Sequence, residues 1–160
     1  MMSNENPIKT IVDFSVIRGG KNNDIPEHSD LAVAEKFAAK YADKYRHVTN
    51  RNDWFVYDGK VWTPDDKLQR YTDARHLCSD LARACDRDAD KKALTHANTV
   101  SDVIKMAGYD ASLIAVIEEF DKDAMLLNTQ DGVVELTTGK LRKHRAEDYL
   151  SQITSCPVES

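Results

Sequence analysis

Thiols, imidazoles and carboxylates are the side chains here that could do chemistry, and their spacing limits what that chemistry is. His76, Cys78 and Cys85 are all zinc-ligand types. On one helix, however, Cys78 and Cys85 stand roughly 10 Å apart along the axis, too far to share a tetrahedral ion. They are expected as small buried hydrophobes. His28, His47, His96 and His144 have no carboxylate or cysteine at a diagnostic spacing, and no serine, histidine and acid set marks a nucleophile. Asp86-Arg87-Asp88-Ala89-Asp90 imitates half of a calcium loop, yet Lys91 stands where Gly is needed and Ala97 where a bidentate Glu is needed. A phosphate-binding loop fails too: Gly20-Lys21 is followed by Asn22, and Ser15 replaces the first Gly. No catalytic residue, metal or cofactor is expected in this chain.

What remains is electrostatic. Lys140-Leu141-Arg142-Lys143-His144-Arg145 carries four formal positive charges and no acid, while Glu118, Glu119, Asp121 and Asp123 lie just before the β-meander that this run ends. Lys140, Arg142, Lys143 and Arg145 are therefore candidate phosphate contacts, although a charge run is more often simply a solvated face. Strand alternation sets Arg142 opposite Lys143 and Arg145. Trp54 and Trp62 are candidate stacking platforms for bases, on condition that a ring is exposed; small-hairpin tryptophans more often pack. With 22 basic and 27 acidic residues the net charge is −5, so any nucleic-acid contact must be a local patch.

The elements that position these residues follow from the apolar pattern. A chain of 160 residues and 18.1 kDa with 41% hydrophobic residues is expected to form one globular domain. Residues 1–28, with a β-like run at Thr10–Ile17 and a turn-rich Gly19–Asp24, read as a mobile arm. Ser29 caps a helix over about 30–45, carrying Leu31, Ala34, Phe37, Ala38, Tyr41 and Tyr45 on one face. Trp54 to Thr63 reads as a hairpin about Asp58-Gly59, which pairs Val56 with Val61 and Phe55 with Trp62. A long helix follows Pro64, with Leu68, Tyr71, Cys78, Leu81 and Cys85 along one side. Asp88 to His96 breaks it. Thr99 to Asp102 has capping-box form before a helix stopped by Gly108, and a further short helix carries Leu113, Ile114, Ile117 and Phe120. The period then switches to a three-stranded meander punctuated by Asp131-Gly132 and Thr138-Gly139. The fold class is α+β, mainly helical, with a Trp-rich hairpin and a C-terminal β-meander. Three widely spaced cysteines and the lack of a signal sequence or of a run of about 20 apolar residues point to a cytoplasmic protein without a membrane partner.

One stretch is specific beyond pattern. Phe120 to Leu141, with Leu126-Leu127-Asn128, Asp131-Gly132, Glu135-Leu136 and Thr138-Gly139, closely resembles the block that ends the poxvirus-helicase-type N-terminal domain of phage and plasmid primase-helicases. His144 and Asp148-Tyr149-Leu150 continue the resemblance; Ser29 to Ala34 and Trp54 to Trp62 match it more softly, so that it spans about 29–158. Met125 stands where an aromatic residue is common, and Lys143 where proline is frequent before the histidine.

The resemblance implies a domain joined on its carboxyl side to a superfamily 3 helicase motor of the ring-forming kind. This chain ends at Ser160, before any motor motif, and is expected to be an isolated domain of a mobile-element replication protein. Leu126, Leu127, Asn128, Asp131, Gly132, Leu136, Thr138, Gly139 and His144 are then family residues in structural service, because turns need such types at their corners. The function expected is a non-catalytic accessory module that positions the motor and touches DNA weakly. The full-length protein would bind ATP, often carry primase activity, and assemble as a homo-oligomer. The alternative is a protein-interaction or oligomerisation collar with no DNA contact.

Overall fold

The computed structural model describes residues 26–155; the β-like run at 10–17, Cys156 and nearly all of the expected arm lie outside them. In chain order the elements are α1 (Asp30–Tyr41), β1 (Tyr45–Val48), β2 (Asp53–Tyr57), β3 (Trp62–Pro64), α2 (Gln69–Ala84), α3 (Asp88–Leu94), α4 (Thr99–Ala107), β4 (Ile114–Ala115), β5 (Leu126–Thr129), β6 (Gly132–Glu135) and β7 (Lys140–Arg142), with short 3-10 turns at Ile117–Glu119 and Ala146–Asp148. The fold is α+β. A four-stranded sheet has the order β3-β2-β1-β4, antiparallel except for the parallel β1–β4 pair, and the expected meander forms a second sheet, β5-β6-β7.

Ser29 accepts the Ala32 N–H at 3.2 Å and starts α1 as its sequence predicts, but the helix ends at Tyr41 and Tyr45 opens β1. Phe37, Tyr41 and Tyr45 share one aromatic cluster, with Tyr45 stacked on Phe37 at 5.8 Å. The strand thus delivers Tyr45 to the place that helical spacing would have given it. The Tyr45 hydroxyl donates to Asp73 on α2 at 2.6 Å, and burial with that carboxylate pushes the phenol pKa up.

The hairpin exists with a register two residues from the expected one: Tyr57 faces Trp62, and Phe55 faces Pro64. Asp58 causes the difference, because its carboxylate accepts both the Lys60 and Val61 N–H groups and spreads the loop over four residues, 58–61. Gly59 there has φ +101°, in the region that favours glycine.

Three further expectations are corrected. The long helix does end before residue 88, at Ala84, but the segment that follows is itself helical: Asp88–Leu94 forms α3, supported by Asp88 and Asp90 in its first turn, lysines in its last, and buried Leu94. Thr99 is not a cap; it is the first residue of α4, and its hydroxyl donates to Ala93 O at 2.8 Å. Leu113 to Phe120 is not a helix: Ile114–Ala115 pairs with the free edge of β1, where Leu113 O and Ala115 O accept from His47 and Thr49. Gly108 does end α4, though at φ −63°. A Cβ there would come within 3.3 Å of both His47 and Trp54, so close approach rather than a left-handed stop suits glycine.

Two cores result. Helices α1, α2 and α4 enclose Val33, Phe37, Leu77, Cys78, Val103 and Ile104, with Trp54 and Tyr45 from the sheet. The other face of the sheet buries Phe55, Trp62, Ala115, Phe120 and Ala146, with Tyr149 against them. Every aromatic ring of this second core comes from the hairpin or from the segments flanking the meander.

Candidate nucleic-acid interface and family motif

The second core fixes where the candidate residues point. Trp62 is 1% exposed; its indole N–H donates to Ala146 O at 2.8 Å, and its ring lies between Tyr149 and Phe120. Trp54 is 8% exposed, stacked on His47 at 5.1 Å with the Arg70 guanidinium 5.7 Å from its ring centre. Neither ring has a free face for a base. The stacking expectation is corrected: both tryptophans are packing residues, because the hairpin is covered on both sides.

Arg142 is also committed elsewhere. Its guanidinium binds Asp148 through two hydrogen bonds, 2.7 and 2.8 Å, and Glu135 through Nε at 2.9 Å. The Asp148 carboxylate above all, then Glu135, pushes its pKa further up. Such a two-carboxylate clamp leaves little positive field for phosphate, and it ties β7 to β6 and to the 3-10 turn. Lys140, Lys143 and Arg145 are exposed and make no ion pair among the described residues. Lys143 and Arg145 lie just past the end of β7, where Arg142 and His144 turn inward and the other two turn out. The expected alternation holds: Lys143 and Arg145 share one side, while exposed Lys140 lies on the side of Arg142.

The family residues build the support beneath this surface. Asn128, 4% exposed, donates from Nδ2 to Lys60 O at 2.9 Å in the hairpin loop and to Gln152 O at 3.0 Å in the tail. One amide therefore joins hairpin, meander and tail. Lys60 Nζ returns a bond to Gln130 O at 2.9 Å. His144 Nε2 lies 2.8 Å from Thr129 O, holding the chain after β7 against β5. Gln130-Asp131 forms the β5–β6 loop, Gly132 follows it with Arg142 O directly against its backbone, and Gly139, at φ +67°, turns the chain into β7 after Thr138. Leu126 is half-buried, whereas Leu127 and Leu136 are exposed. Thus the motif's polar residues make structural bonds, and two of its leucines face outward.

Sequence reasoning did not single out Arg46. It is 8% exposed with no carboxylate partner among the described residues; Nε donates to the Tyr149 hydroxyl at 2.7 Å, Nη1 to Tyr45 O and Ala42 O, and the guanidinium sits over the Trp62 and Tyr149 rings. Aromatic faces and carbonyls stand in for an anion. A strand arginine carries no sequence signal of this, since its partner Tyr149 lies 103 residues away.

Among the described residues no three histidine, cysteine or acidic side chains converge as a metal set, and no helix is long and apolar enough to cross a membrane. Comparison with curated proteins gives no match. A family model described as D5 N terminal like matches residues 34–159, close to the span of the sequence resemblance. The chain therefore belongs to the D5 N-terminal-like family, the N-terminal domain of D5-type primase-helicases of phages and poxviruses.

Proposed function

We propose that this domain is a non-catalytic accessory module of a DNA-replication primase-helicase, one that holds the motor in position and meets DNA phosphates weakly through Lys140, Lys143 and Arg145. The observation that carries the reading is the division of labour around β7. Asn128, His144 and Arg142 commit their polar groups to carbonyls and carboxylates of the domain itself, while the neighbouring three cations stand exposed. With both tryptophans packed, the contact is electrostatic and indifferent to base sequence.

Binding of single-stranded DNA is expected to be measurable for this chain only at low salt, and to fall with a log–log salt slope of about −2, given three available cations and roughly −0.7 per phosphate neutralised. Lys143→Glu with Arg145→Glu should abolish it while leaving the thermal midpoint unchanged. Equal binding by the double variant and the parent, or none by either, defeats the DNA contact and leaves the interaction collar. The 160-residue chain is also expected to hydrolyse no nucleotide with or without DNA; a magnesium-dependent ATPase that co-purifies with it through successive columns would overturn that.

A further inference from the structure

The meander has a second face. Leu127, Val134 and Leu141 form one cross-strand row, and Met125 with Leu136 forms the next, joined by the Leu136 N–H donating to Met125 O at 2.8 Å. These residues alternate with Asn128, Val133 and Arg142, whose side chains face the rest of the domain. Met125, Leu127, Leu136 and Leu141 are 46%, 43%, 50% and 48% exposed, and no charged side chain lies between them. An antiparallel sheet ordinarily turns polar residues to water on its open side, so this face is inverted relative to expectation.

We propose that the open face of β5-β6-β7 is the seat of the domain that follows in the same polypeptide in D5-type primase-helicases. The inference rests on family membership and not on the DNA contact. Area decides between a tethered neighbour and a second copy. Four leucine-sized side chains, each about half exposed, offer roughly 300–400 Å², about half of the ~800 Å² per partner that a free-standing pair needs. A covalent tether supplies the missing association through effective concentration. The chain's path agrees: Thr154 N donates to Asn128 O at 2.9 Å and Thr154 pairs in parallel with Thr129, so the outgoing polypeptide runs along β5. Between tail and strand lies a groove of about 340 Å³ of mixed lining, with Leu126, Leu127 and Ile153 beside Asp121, Asp123 and Gln152, and it meets the apolar face at Leu127.

The test compares this 160-residue chain with a primase-helicase polypeptide in which the motor follows it, using Leu136→Cys and residue-resolved maleimide labelling by mass spectrometry. Labelling of position 136 is expected to be at least about 10-fold slower in the longer polypeptide, and to regain the short chain's rate when Leu127→Lys and Leu141→Lys are added. Circular dichroism confirms that these exposed substitutions leave the fold intact. Equal labelling in both polypeptides overturns the proposal. So does sedimentation of the short chain as a dimer that Leu127→Lys with Leu141→Lys disperses, which would make a second copy the occupant. Loss of the DNA contact leaves the labelling contrast unchanged, so the two readings fail separately.

Discussion

Gly132→Ala is expected to destabilise the domain by about 3 kcal/mol, seen as a lower urea midpoint with an unchanged slope. A Cβ at residue 132 would lie 2.3 Å from Arg142 O and 3.0 Å from Leu141 Cδ1. The first of these is backbone, paired across the sheet with Val133, so it cannot swing away as a side-chain tip could. Relief requires β7 to leave β6, and β7 carries Arg142 into its clamp with Glu135 and Asp148. Gly59→Ala provides the contrast. At φ +101° it is strained, but nothing lies within 4 Å of the added carbon, so only the backbone cost of about 1 kcal/mol is expected. Equal midpoint shifts for the two variants would mean that contact with β7 is not what glycine serves at 132.

The same comparison shows what a sequence reader could and could not obtain. Asp131-Gly132 and Thr138-Gly139 announce the meander because short turns restrict residue type strongly, and β5, β6 and β7 stand where those turns put them. Asp58-Gly59 announces the hairpin equally well, but the register depends on where one carboxylate finds its amides, and Asp58 accepts from Lys60 and Val61. Tyr45 and Ile114 carry helical spacing yet lie in strands, since periodicity reports which side chains must be buried and not the path that buries them. For the candidate site, Lys143 and Arg145 are legible as exposed cations, whereas Arg142 is not distinguishable from them. Its partner Asp148 is brought to it only by the 3-10 turn at Ala146–Asp148. Arg46, Trp54 and Trp62 depend on contacts between distant segments, which one sequence does not display.

Asn128 offers the sharpest separation of size from hydrogen bonding. Its Nδ2 donates to two carbonyls, Lys60 O and Gln152 O, and its Oδ1 is buried with no hydrogen-bond donor among the described residues. The residue is therefore used for its two N–H groups alone. Asn128→Ala removes both bonds and strands the two carbonyls, an expected loss of about 2–3 kcal/mol. Asn128→Asp preserves the shape but sets an ionised, buried oxygen against the same carbonyls, and is expected to cost about 3–5 kcal/mol at pH 7. The two variants then part with pH. Burial and the facing carbonyls raise the folded-state pKa of the introduced carboxyl above the ordinary unfolded value of about 3.9. A raised acid pKa means that the folded state takes up a proton first, so the excess penalty is full above the folded pKa and shrinks as pH falls through it towards the unfolded value. A protonated carboxyl can also donate to one of the two carbonyls. Urea unfolding of both variants from about pH 7 to about pH 4, each referred to the parent at the same pH, should show the aspartate variant's deficit narrowing towards that of the alanine variant, which stays flat. A deficit for Asn128→Asp that is constant across that range would mean that the position tolerates a charge, and that Asn128 does not join hairpin, meander and tail through its donors.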